Sequence, residues 1–361
     1  MLRAGIVGMG PRGRRWAQAM KTIEETTGRV KLVAVAEISE QRRERARDLF
    51  GCKTFKDHRE MLDSGGLDMV CVATSCDAHK EPAVDALKAG VHVICEKPLA
   101  DTLEDARYIA QEAKRSNSLF MVGFELRFTP GHNRARERFL SGELGRVCNF
   151  SYYKMKKLFH PSRNSVSSPF LEETVHAFDL IGWQLAPVES VLASVMERTI
   201  YGPETDVHPI LDPGEHEDGP FWDASGRSYP DTCWAVLRLS NGAIGPVGQV
   251  VGLPYAGTAE RYIVVTDKAS VFIEYHRCRI CWRRGWQSNP LANTVEETVW
   301  SPPPEGHQGA TRVMLDHFID CVEEGIPMQG ATAEDGLTAI KVAIACEKAA
   351  KEKREIKLSE L

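Results

Sequence analysis

At 361 residues the chain is longer than one hydrophobic core usually supports, and 43% apolar with 26% charged residues is an ordinary globular composition with material for two cores. A net charge of −5 gives no general attraction to nucleic-acid phosphates or anionic lipid, and no apolar run approaches the roughly 20 residues that span a bilayer. Neither nucleic acid nor membrane is an expected partner, and the opening MLRAGIVGMGPRGRRW has too short an apolar run for a signal peptide, so a cytoplasmic location is expected.

The first third alternates between two periodicities. Apolar runs near 3–8, 31–36, 68–73, 91–95 and 118–122 have strand character, with helical spacing between them. Over 101–116, Asp101 reads as the N-cap with Glu104 three residues on, and Leu103, Ala106, Ile109, Ala110 and Ala113 form one stripe. Such alternation predicts βαβ units in a doubly wound parallel sheet.

The first turn of that sheet reads Gly8-Met9-Gly10-Pro11-Arg12-Gly13 between a strand and a helix. In this pattern Gly8 permits the tight turn, Gly10 lets backbone approach a pyrophosphate, and Gly13 lets the helix pack against the strand. Glu37, at the end of the second strand, suits the adenosine ribose hydroxyls and repels a 2′-phosphate, and no Arg or Lys occupies 38–41. NAD is therefore expected before NADP, although Arg42 and Arg43 follow closely.

Beyond the strand at 91–95 stands Glu96-Lys97-Pro98, where ligands of such sheets bind. Pro98 restricts the backbone of Lys97. Two readings stand for its ammonium: it faces the cofactor and substrate, or it snorkels to solvent.

After Gly123 the pattern changes. Thr129-Pro130 opens a helix, and strand-like stretches recur at 147–158, 188–200, 232–239, 243–251, 261–266 and 270–275, many joined by short turns such as Ser240-Asn241-Gly242-Ala243, which suits antiparallel neighbours. A helix over Phe170–Ala186 carries Glu172, His176 and Asp179 on one face, which spacing alone reads either as a solvated surface or as a chemical cluster. Cys278 and Cys281 form the only C-x-x-C, without a second pair at metal-site spacing, and no metal is expected. Residues 201–231, rich in Pro, Gly and acids, read as a solvated loop, and 301–306 (SPPPEG) as a stiff connector.

GMGPRG, ATSCDAHKEPAVDALKAGVHVICEKPLA, VGFELRFTPGHNRARE, SGELGRV, LEETVHAFDLIGWQLA and TAEDGLTAIKVAIACEKAAKEKREIKL together resemble the Gfo/Idh/MocA family of nicotinamide-dependent oxidoreductases. The resemblance implies a Rossmann domain over 1–123 and, over 124–361, an α/β domain with an open, mostly antiparallel sheet that serves in homo-oligomerisation as a dimer or tetramer. It allows a C-terminal helix near 333–352 to pack back on the first domain. It implies cofactor contacts at Gly8, Met9, Gly10, Pro11, Arg12, Gly13, Glu37, Thr74, Ser75, His79, Glu96, Lys97 and Arg127. Ser75 stands where the family commonly has proline.

By the same resemblance His176 matches the histidine of the family's D-x-G-x-H pattern, with Glu172 and Thr174 in place of Asp and Gly. The roles implied are His176 as general base and acid, Lys97 as partner of the developing alkoxide, and Glu172 as orienting carboxylate. Substrate contacts are assigned to Lys97, Arg127, Glu172, His176 and His307, with Arg127 alternatively bracing the crevice between domains; Tyr152, Tyr153 and Lys154, on the first strand of the second domain, read either as lining a sugar site or as sheet packing. The expected activity is hydride transfer between NAD and a secondary alcohol or ketone of a sugar, polyol or related compound. The alternatives are an NAD-dependent glycosidase working by transient oxidation and elimination, and a non-catalytic dinucleotide sensor.

Overall fold

The computed structural model describes residues 1–156, 168–196, 232–251, 259–275, 278–284, 294–300 and 309–361. The 201–231 stretch, the 301–306 connector and His307 lie outside the described residues.

The chain opens with β1 (Leu2–Val7), α1 (Pro11–Thr27), β2 (Val30–Ala36), α2 (Glu40–Phe50), β3 (Lys53–Phe55) and α3 (His58–Asp63). There follow β4 (Met69–Val72), α4 (Lys80–Lys88), β5 (His92–Cys95), α5 (Leu103–Arg115) and β6 (Phe120–Val122). All six strands are parallel, in the order β3-β2-β1-β4-β5-β6. This is the doubly wound sheet that the alternating pattern predicts, and its order reverses between β1 and β4. Helices on both faces explain why Met69–Val72 and Val93–Cys95 are fully buried and read as continuous apolar runs. One boundary differs from the sequence reading: Thr102, not Asp101, caps α5, its hydroxyl accepting from the Asp105 N–H at 3.1 Å.

Next come α6 (Pro130–Leu140), β7 (Val147–Lys156), a π-helical turn over Phe170–Thr174, α7 (Val175–Gln184), β8 (Val188–Met196), β9 (Thr232–Leu239) and β10 (Ile244–Val251). They continue with β11 (Ala259–Thr266), β12 (Ala269–Glu274), β13 (Arg279–Arg284) and β14 (Thr294–Val299). The chain ends with α8 (Ala310–Glu324), α9 (Ala333–Glu352) and β15 (Ile356–Lys357). Nine of these strands form a second sheet, β14-β13-β12-β11-β7-β10-β9-β8-β15, in which β7 and β10 pair in parallel and the other neighbours antiparallel. The β9–β10 hairpin turns where the sequence places it, with Gly242 at φ +84° and the Leu239 N–H donating to the Ala243 carbonyl at 2.9 Å. Along β9, buried Cys233, Ala235, Leu237 and Leu239 alternate with exposed Trp234, Val236 and Arg238, so one face is covered and the other is open.

Two compact units divide the chain: Met1–Phe128 with Pro303–Ile340, and Thr129–Pro302 with Lys341–Leu361. The sequence reading ends the first unit at residue 123 and allows a helix near 333–352 to return to it; the compact unit runs to Phe128 and takes in Pro303–Ile340. The reason is in the core, where Met314, Leu315, Phe318 and Ile319 of α8 join Trp16, Met20 and Ile23 of α1. The Val122 N–H also donates to the Ala331 carbonyl at 2.8 Å, which satisfies the outer edge of β6. Among the described residues no helix is long and apolar enough to cross a membrane.

Candidate active site

In the first unit the glycine-rich turn joins β1 to α1. Gly8 has φ +91°, a left-handed conformation costly for other residues, and a Cβ there would come within 2.8 Å of the Ala73 carbonyl at the end of β4. At Gly13 a Cβ would collide with the Gly8 carbonyl, so the helix can lie this close to the turn only without a side chain. Gly10 is the opposite case: a Cβ would meet nothing within 4 Å. That open side lies at the N-cap of α1, where no side chain caps the helix and Pro11 occupies the first turn. Uncapped first-turn N–H groups beside such a space make a cradle for a pyrophosphate.

Glu37 is buried one residue past β2. Its carboxylate accepts from the Met9 N–H at 2.7 Å and the Ser39 N–H at 2.9 Å, which ties it to the glycine-rich turn and leaves acceptor capacity for ribose hydroxyls. Arg43 donates to the carbonyls of Glu37 and Ile38 at 2.7 and 2.9 Å. The Arg43 guanidinium is thus engaged with backbone.

The E-K-P element separates into parts. Glu96 is 3% exposed and accepts from Trp16 Nε1 at 2.7 Å and Arg12 Nε at 2.8 Å. Arg12 also pairs with Glu125 at 3.3 Å, and Thr311 Oγ1 donates to the same Glu125 oxygen at 3.5 Å. Burial alone would lower the Arg12 pKa, but the carboxylates of Glu96 and Glu125 outweigh it and raise it, so the guanidinium stays charged. Arg12 and Glu96 therefore bind each other and lock the end of β5 to the start of α1. Lys97 is half-buried, and its peptide bond to Pro98 is cis.

His79 is buried between two carbonyls, Nδ1 3.0 Å from the Pro98 oxygen and Nε2 3.2 Å from the Thr74 oxygen. Burial depresses its pKa, against the pull of Glu96 and those carbonyls. It braces the loop after β4 against the segment after Lys97. Thr74 donates to the Ala78 carbonyl at 3.1 Å, and Ser75 precedes a 3₁₀ turn over Cys76–Ala78. Arg127, 5% exposed in the 3₁₀ turn Glu125–Phe128, pairs with Asp335 of α9 at 3.4 Å.

In the second unit Glu172 and His176 are both buried, so a solvated helix face does not describe them. The helix also begins differently from the uniform α-helix expected over 170–186: Phe170–Thr174 is a π-turn, and the α-helix starts at Val175. Wider turns of this kind recur at functional sites. On β7, Tyr152 and Lys154 lie on the covered face, while Tyr153 takes the opposite face, where its hydroxyl accepts from Arg261 at 2.9 Å. The structure thus does not bring Tyr153 together with Glu172 and His176. Lys154 lies instead between Glu173 at 3.1 Å and Glu260 at 3.2 Å, in a buried group of charges. Trp16 and Glu125 were missed, since their partners are remote in sequence.

The dinucleotide turn fits NAD on three counts: the open side of Gly10, the uncapped start of α1, and the anchored Glu37. A family model described as an oxidoreductase family, NAD-binding Rossmann fold, matches residues 2–124, and its companion, the oxidoreductase family C-terminal alpha/beta domain, matches 136–358. The chain is 26% identical to a myo-inositol 2-dehydrogenase of Thermotoga maritima, over 100% of this chain and 99% of that protein. It is 25% identical to a levoglucosan dehydrogenase of Pseudarthrobacter phenanthrenivorans, over 82% and 81%. An oxidoreductase domain protein from Kribbella flavida shares the fold, with a TM-score of 0.84 at 20% identity over 99% of both chains.

Proposed function

The chain belongs to the Gfo/Idh/MocA oxidoreductase family, and from that premise we propose that it oxidises a secondary alcohol of a sugar or cyclic polyol with NAD. The observation that carries this reading is the buried pair Glu172 and His176 at the entrance to α7, a carboxylate and an imidazole four residues apart in the motif position of the family. The names of two relatives, myo-inositol 2-dehydrogenase and levoglucosan dehydrogenase, support a polyhydroxylated ring as substrate.

NAD, when bound, accepts the hydride. Gly8, Gly10 and Gly13 would admit its pyrophosphate, and Glu37 would accept from its ribose hydroxyls. His176 takes the hydroxyl proton, a role suited to an imidazole. Lys97 lends positive charge to the developing alkoxide, and Glu172 orients His176 or accepts from a neighbouring hydroxyl. Arg12 and Glu96 act by holding the turn rather than by touching substrate.

A homo-oligomer through the open sheet face is part of the same reading. Leu192, Trp234 and Val236 are 49%, 40% and 41% exposed there, and Leu192 stands opposite Val236 in the register. Thiols buried within strands, such as Cys71 and Cys95, suit a reducing cytoplasm.

The test is a panel of myo-inositol, levoglucosan and common aldoses with NAD followed at 340 nm, with nitrophenyl glycosides in parallel. Net NADH from a polyol or sugar is expected. Aglycone release without net NADH would replace this reading with an eliminating glycosidase, and NAD binding with neither product would replace it with a sensor.

A further inference from the structure

A π-turn is less favourable than the α-helix it interrupts and persists where its surroundings hold it. Against the turn at Phe170–Thr174 lies a row of polar side chains on the covered face of the second sheet. The register sets Cys233 of β9 opposite Gln249 of β10, Gln249 opposite Lys154 of β7, and Lys154 opposite Glu260 of β11. Three members of the row touch the turn or the residue before it. Gln249 donates its amide to the Pro169 carbonyl at 3.2 Å, and Cys233 Sγ lies 3.6 Å from Thr174 Oγ1, which donates to that same carbonyl at 3.1 Å. Lys154 Nζ reaches Glu173, the residue between Glu172 and Thr174, at 3.1 Å.

The fourth member secures the third. Glu260 takes the other side of the Lys154 ammonium at 3.2 Å and accepts from the Tyr152 hydroxyl at 2.6 Å. Burial opposes charge on Lys154, but the two carboxylates outweigh it and raise the pKa. The ammonium therefore remains charged and is committed to Glu173 and Glu260. A buried ion pair of this kind adds little net stability compared with apolar packing, and its best-attested use is to specify one local arrangement.

We propose that Lys154 is a positioning residue: by holding Glu173 against β7 and β11 it fixes the π-turn, and so the directions in which Glu172 and His176 project. This rests on the reading of His176 as the base. The row has no need to meet substrate to act, because its members bind Pro169, Glu173 and Thr174 on the turn's own backbone and side chains.

The experiment compares wild type with Lys154→Met, Lys154→Arg, Gln249→Ala and His176→Ala. Hydrogen exchange is measured on peptides covering 168–176, and kcat and KM with NAD and myo-inositol, or levoglucosan if myo-inositol is not oxidised. Lys154→Met should speed exchange at 168–176 about tenfold, leave peptides of the first unit unchanged, and lower kcat about 10- to 100-fold with KM within about twofold, the scale of a small misplacement of a reacting group. Lys154→Arg should restore both. If Lys154→Met does not fold, Gln249→Ala, which removes one neutral hydrogen bond, must show the same pattern at smaller amplitude.

Exchange at 168–176 equal to wild type would overturn the proposal, as would faster exchange with unchanged kcat. Loss of activity in His176→Ala alongside an unaffected Lys154→Met would sink the positioning role and leave the base assignment standing. An unaffected His176→Ala would sink the base assignment and, with it, the proposal.

Discussion

Glu37 shows how much one side chain decides. Its oxygens are oriented by two backbone N–H groups, one from the glycine-rich turn and one from the start of α2, so the carboxylate is already aimed when a ribose arrives. Glu37→Ala should weaken NADH binding about 10- to 100-fold, as expected for lost hydrogen bonds to a charged group, and narrow the preference over NADPH. Fluorescence titration of both cofactors measures it, and an unchanged preference would contradict the role. At Glu96 the lesson is different. A glutamate before Lys97 is legible in the sequence, but its partners Arg12 and Trp16 lie 84 and 80 residues away, beyond any local pattern. Trp16→Phe keeps the aromatic packing and removes the indole donor, so urea unfolding should report a loss of about 1.5–3 kcal/mol.

Among elements, the start of α1 is the most constrained. A methyl group on Gly13 would have to displace the Gly8 carbonyl, which is backbone and cannot swing aside. Gly13→Ala should therefore abolish NADH binding in the same titration, and near-normal affinity would mean that the turn is looser than its geometry states. Strands and helices of the first unit are legible because continuous apolar runs alternate with amphipathic spacing. β3 escapes that pattern because it has three residues and only Phe55 is strongly apolar. In the second unit β14 has no strand signature in the sequence, for Glu296 and Glu297 mask the alternation. The π-turn has no sequence signature at all: its contacts come from β7, β9 and β10, brought alongside by the sheet.

For the molecule as a whole, pairings remote in sequence dominate what sequence could not supply. The first unit recruits α8, nearly 200 residues after β6, because the apolar stripe of α1 needs a cover. Another such grouping makes stability depend on pH. His132 on α6 is buried against Tyr262, with ring centroids 5.8 Å apart, and burial lowers its pKa from 6.5 to about 4 despite nearby Glu260. A folded pKa below the unfolded one means that the unfolded chain binds the extra proton first. Stability from neutral His132 is then complete above pH 6.5 and falls as pH drops towards 4, by up to roughly 3 kcal/mol. His132→Gln should flatten the decline between those pH values in urea unfolding, and parallel curves would contradict it. On the open sheet face, Leu192→Lys with Val236→Lys should lower the mass seen by light scattering to that of a single chain.

The proposed role of His176 is to take the substrate hydroxyl proton. The rate of NADH formation by His176→Ala, set beside its affinity for NAD, tests this most directly. Turnover about 10²- to 10⁴-fold below wild type with NAD affinity intact is the predicted result. Turnover equal to wild type would contradict it.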